Sequence, residues 1–187
     1  MIIQELGIKG VFEIQCEPKK DERGYFVRTF DKKIFAEHGI DRKWTQENES
    51  FSRQKYTVRG LHFQHPPYAE AKLIRVSGGE AFVVFVDLRK NSKTFGRWGS
   101  VILSAEKKNM VFVPRGFCNG LCTLTDACML LYKMDNYYAP ERQDAILWND
   151  PDIGIKWPVE KPSYISKRDA EAKRFKEFIA TRGGLGV

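Results

Sequence analysis

The chain has 187 residues, 42% hydrophobic and 29% charged, a size that predicts one compact domain over residues 1–187 with an adequate core. No window approaches about 18 consecutive apolar residues, and Met1 to Lys9 lacks a basic flank and a long apolar run, so neither a spanning helix nor a secretory leader is expected and the cytoplasm is the default location. The net charge of +7, from 31 Lys and Arg against 24 Asp and Glu, is interleaved with acids and accompanies no nucleic-acid motif, so it predicts no nucleic-acid partner and suits a small anion such as a diphosphate.

In chain order, Asp31 is placed to cap a short helix through His38, stopped by Gly39. From Thr57 to Met134, short β-rich runs alternate with turn signals, the cadence of a sandwich or barrel. Ala81 to Leu88 (AFVVFVDL) is the clearest strand; its nearly unbroken apolar character means both faces are buried, as in a central strand of a two-layer sheet or one covered by a partner subunit. Ser77, Gly78 and Gly79 turn the chain before it, and Lys90, Asn91 and Ser92 after it. Further strands are predicted at Gly99 to Ser104, Met110 to Val113, Gly120 to Leu124 and Met129 to Lys133. Pro140, Pro151, Pro158 and Pro162 interrupt the next stretch too often for regular structure. Ser166 then caps a longer helix running to about Ala180, before Arg182, Gly183 and Gly184. The fold class is all-β, with few helices.

Four cysteines (Cys16, Cys118, Cys122, Cys128) without an export signal read as reduced thiols. Their spacing lacks paired ligand clusters and the three histidines lie far upstream, so no metal is expected. GxSxG, GxxxxGK and GxGxxG are all absent. What remains is a proton-transfer set. In VRGLHFQ, Arg59 and His62 sit three apart around Gly60, so either Gly60 marks a bulge or only one of the two side chains faces inward. His62 is a candidate base, although its apolar neighbours also suit a half-buried structural imidazole. Lys72 in AKLIRV is either a solvated cation or an oxyanion partner. Tyr132 in LLYK reads as a core aromatic in need of a polar partner. Asp169, three residues after Ser166, is accounted for by a capping box.

The order of motifs is more specific: DERGYFVRTF at Asp21, QENES at Gln46, VRGLHFQ at Val58, KLIRVSGGEAFVVFVDLRKNSKTFGRW at Lys72, VPRGFCNG at Val113, YYAPERQDAILWNDPDIGIKWP at Tyr137 and SKRD at Ser166. Together they resemble the dTDP-4-dehydrorhamnose 3,5-epimerase family over about 165 residues. The resemblance implies a cupin-type jelly-roll β-sandwich with a few short peripheral helices and a C-terminal helix. It also implies a homodimer with strands exchanged at the interface, no cofactor or metal, and a nucleoside diphosphate-linked 4-keto-6-deoxy sugar as substrate. By that resemblance His62 is the base, Asp169 orients and charges its ring, Lys72 faces the enolate oxygen and Tyr132 is the acid. Arg23 and Arg59 match diphosphate-binding arginines, and Phe26, Gln46, Asn48 and Tyr138 match positions lining the nucleotide and sugar pocket.

Two positions depart from the family pattern. Asn119 stands where the pattern has a His that helps bind the 4-keto oxygen, which puts double epimerisation in doubt and raises a single-centre epimerase. Arg28 stands where the pattern has Glu; if it reaches the base, its donors suit the cytosine N3 lone pair, hence a CDP-linked sugar. Alternatives are a single-centre epimerase on a CDP- or GDP-linked 4-keto sugar, a sugar-nucleotide 3,4-ketoisomerase, and a non-catalytic sugar-nucleotide binding cupin.

Overall fold

The computed structural model describes residues 1–187. Its strands are β1 (Ile2–Glu5), β2 (Phe12–Gln15), β3 (Lys19–Asp21), β4 (Gly24–Phe26), β5 (Gln46–Ser52), β6 (Thr57–Gln64), β7 (Lys72–Gly78), β8 (Glu80–Asp87), β9 (Trp98–Ser104), β10 (Asn109–Val113), β11 (Phe117–Thr123), β12 (Cys128–Met134), β13 (Gln143–Ala145) and β14 (Tyr164–Ile165). Its helices are α1 (Lys32–Glu37), α2 (Lys167–Ala170) and α3 (Phe175–Arg182). One sheet runs β1-β2-β10-β7-β12-β5 and the other β13-β6-β11-β8-β9, with β14 added in parallel to β6 and β3-β4 standing apart as a hairpin.

The two large sheets bury one core between them, where Ile74, Val76, Val83, Phe85, Leu121 and Leu130 meet. Strand β8 explains its own apolar run. Ala81, Val83 and Phe85 face that core, while Val84 and Val86 face a second cluster closed by Phe175 and Phe178 of α3. The outer face of the first sheet is covered near Leu73, Met110 and Phe112 by Phe35 of α1. That short helix begins as expected, with Asp31 accepting from the Lys33 and Ile34 backbone N–H groups. All four cysteines are buried free thiols.

Two expectations are corrected. The helix predicted from Ser166 to Ala180 is two helices, broken at residues 171–174. There Lys173 pairs with Ile146 as an isolated parallel bridge and its ammonium meets Asp144 Oδ2 at 2.7 Å, so tertiary pairing overrides helical propensity. The Pro-rich stretch, expected to lack regular structure, contains β13 and β14, because the edge of β6 not taken by β11 offers backbone partners at both its ends, to β14 at Thr57–Val58 and to β13 at His62–Gln64.

Asp87, at the end of β8, is fully buried and accepts from Arg89 (Nε 2.9 Å, Nη2 2.7 Å), Ser92 Oγ and Thr94 Oγ1 (both 2.6 Å). Burial pushes its carboxyl up, but these donors outweigh burial and hold it below the usual carboxylate range. A carboxyl depressed by folding stabilises the protein above its unfolded pKa and ceases to do so as pH falls through the folded one. Breaking such a buried pair costs about 3–5 kcal/mol. Asp87→Asn is therefore expected to lower Tm at pH 7 by about 6–20 °C, at about 2–4 °C per kcal/mol for a chain of this size, and to flatten the loss of stability in acid; scanning calorimetry from pH 7 to pH 3 checks both.

Candidate active site

Between the sheets lies a cavity of about 550 Å³, within the usual range for small-molecule sites. It receives side chains from both layers: Lys72 and Tyr132 from β7 and β12 of the first sheet, His62 and Asn119 from β6 and β11 of the second. Tyr132 and His62 therefore approach it from opposite walls.

Gly60 arranges the second wall. It adopts φ +110°, and the pairing of β6 with β11 shifts register between Asn119 and Leu121. This is the bulge anticipated from the spacing, and it brings Arg59 and His62 to the same cavity despite their odd separation. Arg59 is fixed by Nε to Ser52 Oγ at 3.1 Å and Nη2 to Phe51 O at 3.0 Å.

Asp169 is only half the expected capping residue. Its backbone N–H donates to Ser166 Oγ at 3.1 Å, but its carboxylate turns to β6 instead. There Oδ2 accepts from Gly60 N at 3.1 Å and Oδ1 lies 2.7 Å from His62 Nε2. Burial raises the Asp169 carboxyl, yet the bond to His62, its charge and the Gly60 N–H overcome that and hold it below its ordinary value. A charged carboxylate at that distance keeps a proton on Nε2 and leaves Nδ1 as the basic nitrogen. On the facing side, Lys72 Nζ donates to Asn119 Oδ1 at 2.9 Å, spanning the two sheets, and pairs with Glu70 Oε1 at 3.2 Å.

Another part of the cavity wall is built largely on β5 and the segment after β12. Asn48, opposite Tyr132 in register, donates to Met134 Sδ at 3.3 Å, and Gln46 Oε1 accepts from Tyr138 N at 2.6 Å. Gln143 Oε1 takes the Tyr138 hydroxyl at 2.9 Å and Arg168 Nη1 at 2.7 Å.

Of the residues singled out from sequence, His62, Lys72, Tyr132, Asp169, Gln46, Asn48, Arg59, Asn119 and Tyr138 border this cavity. Arg23, Phe26 and Arg28 do not. Arg23 pairs with Asp21 at 2.7 Å on the β3-β4 hairpin, Arg28 pairs with Asp31 at 3.2 Å, and Phe26 is 67% exposed. The sequence reading missed Glu70, Gln143, Tyr164 and Arg168, which also line the cavity. Glu70 had a signal, since it lies two positions before Lys72 in an extended segment and so shares its side. His65, the other histidine near His62, is engaged by Asp144 at 2.9 Å. No group of three or more His, Cys, Asp and Glu side chains gathers where it could hold a metal ion.

Taking a proton from one wall and returning it from the other is the work of an isomerase, and the scaffold here is a cupin-type β-sandwich. The profile of dTDP-4-dehydrorhamnose 3,5-epimerase matches residues 5–177, and the chain belongs to that family. It is 45% identical over 172 residues to the dTDP-4-dehydrorhamnose 3,5-epimerase of Methanothermobacter thermautotrophicus, covering 91% of this chain and 92% of the relative. Among solved structures it superposes on dTDP-6-deoxy-D-glucose-3,5-epimerase from Legionella pneumophila in complex with dTDP-4-keto-L-rhamnose, with a TM-score of 0.92, 36% identity, and 100% and 98% of the two chains covered. It also superposes on a 3'-monoepimerase from Streptomyces bikiniensis in complex with dTDP-quinovose, with a TM-score of 0.89, 29% identity, and 97% and 91% covered.

Proposed function

We propose that the chain epimerises a dTDP-linked 4-keto-6-deoxy sugar at C3, C5 or both. The observation that carries this reading is the 2.7 Å His62–Asp169 pair sharing one cavity with Lys72 and Tyr132. The ketone acidifies the neighbouring C–H bonds. His62 Nδ1 takes the proton, the bond electrons move onto the carbonyl oxygen, and the Lys72 ammonium faces the resulting enolate. The Tyr132 hydroxyl then protonates the same carbon from the opposite side, the enolate collapses to the ketone, and solvent exchange resets imidazolium and phenolate. Only protons move, so the step is redox-neutral and asks for no cofactor.

The diphosphate is assigned to Arg59 of the same chain and to Arg23. Because Arg23, Phe26 and Arg28 stand on an exposed hairpin and the segment after it, we assign them to the cavity of a second copy, in a homodimer. The support is the exposure of Tyr25 and Phe26, two large rings that solvent does not favour. Arg28 pairs with Asp31 at 3.2 Å, and the cytidine alternative draws no support from relatives that are named for dTDP-linked sugars. The buried thiols accord with a cytoplasmic location, and residues 1–187 are read as a single domain. Asn119 gives a second reading its motive: a neutral amide already bonded to Lys72 offers the 4-keto oxygen less than a charged imidazole would, which favours one centre over two.

Incubation with a dTDP-linked 4-keto-6-deoxyhexose in D₂O, followed by NMR, is expected to place deuterium at C3, C5 or both. Label at both identifies the double epimerase and label at one the mono-epimerase. Absence of label at either carbon overturns the proposal.

A further inference from the structure

One acid bordering the cavity is not used by the reaction above. The Glu70 side chain is 4% exposed, and its Oε1 lies 3.2 Å from Lys72 Nζ. Its Oε2 is buried with no hydrogen-bond partner at all. Enclosing a carboxylate with one oxygen unsatisfied costs free energy that packing alone does not return. Such an arrangement persists where function holds it in place.

The flanking backbone is fixed. Ala71 N donates to Asp135 Oδ1 at 2.7 Å, and Asp135 is in turn gripped by Arg115 Nε at 3.1 Å. Glu70 therefore projects from an anchored segment. Across the cavity, Asn119 Oδ1 takes the Lys72 ammonium at 2.9 Å. An ammonium carries three N–H bonds. One of them is held by Asn119 Oδ1 on β11, while from the opposite side Glu70, beside β7, faces the ammonium as an ion pair.

We propose that Glu70 is a positioning residue of the epimerisation: its ion pair, together with the Asn119 hydrogen bond, holds the Lys72 ammonium at the enolate oxygen. The proposal rests on the epimerase reading and deepens it. Glu70 touches no reacting atom and acts entirely through Lys72. It holds the ammonium where negative charge will develop and balances its charge before that charge appears. A flexible four-carbon chain does not keep this placement unaided.

The test measures deuterium exchange, KM, dTDP affinity and Tm for the wild type, Glu70→Leu, Glu70→Ala and Glu70→Gln, and repeats Glu70→Leu in a Lys72→Met background. Removing the carboxylate is expected to lower kcat by about 10- to 100-fold, below the about 10²–10³-fold cost of losing an oxyanion donor outright, with dTDP affinity unchanged within about twofold. Glu70→Gln, which keeps the side chain's size but not its charge, is expected to lose about as much as Glu70→Ala. In the Lys72→Met background, Glu70→Leu costs less than about twofold further, because residues that act through one another are not additive. Glu70→Ala adds no bulk and keeps the test alive should the leucine variant fail to fold. Wild-type kcat in Glu70→Ala, or an equal loss with and without Lys72, overturns the proposal while leaving the epimerase reading intact. A wild type that exchanges no deuterium overturns that reading itself.

Discussion

Replacing His62 with Asn is expected to lower kcat for deuterium exchange by about 10³–10⁴-fold, the upper part of what general base help contributes, or about 4–5 kcal/mol of barrier at 1.36 kcal/mol per tenfold. Under the proposed roles the loss should fall on kcat, because the imidazole acts on the sugar carbon and is not among the residues assigned to the nucleotide; dTDP should bind with unchanged affinity. Asp169→Asn should follow in the same direction. The carboxylate 2.7 Å from Nε2 fixes the tautomer, and an amide there offers a donor as readily as an acceptor, so Nδ1 ceases to be reliably basic. Isothermal titration with dTDP beside NMR exchange rates separates the two effects. A His62→Asn protein that exchanges at the wild-type rate removes the base from the mechanism.

Gly60→Ala should be nearly as damaging without touching a reacting group. A Cβ on Gly60 would stand 2.7 Å from Gly120 Cα and 2.8 Å from Asn119 O, both backbone, in a residue whose φ of +110° is strained for any side chain. Neither neighbour moves without opening the β6–β11 pairing that sets His62 against Asn119. We expect a cost of at least about 3 kcal/mol, a fall in Tm of about 6–12 °C, and loss of most activity in whatever remains folded. Gly7→Ala, where nothing lies within 4 Å, is the matched control and should leave both quantities unchanged.

How far the chain could be read in advance follows from which forces are local. Strand β8 was legible because both its faces are buried and its residues say so without help from elsewhere. The bulge at Gly60 was legible as a choice, since two inward side chains three apart cannot share a regular strand. Strand β5 escaped periodic reading: QENESFS is an edge strand in which Glu47, Glu49 and Phe51 stay exposed while the polar Gln46, Asn48 and Ser50 are half-buried. The break between α2 and α3 was hidden because its causes, Ile146 and Asp144, lie more than 25 residues upstream of Lys173. Asp169 shows the same limit at the site. Its spacing from Ser166 accounts for a cap and is silent about His62, 107 positions away, which only the fold brings near. The motif resemblance supplied that pairing, while Glu70, two positions before Lys72, lay outside the roles it assigned.

Under the proposed roles, mounting His62 and Tyr132 on separate layers makes the gap between them an adjustable gauge. A lean of one layer against the other, or a change of curvature in either, alters which ring carbon sits midway without replacing any reacting group.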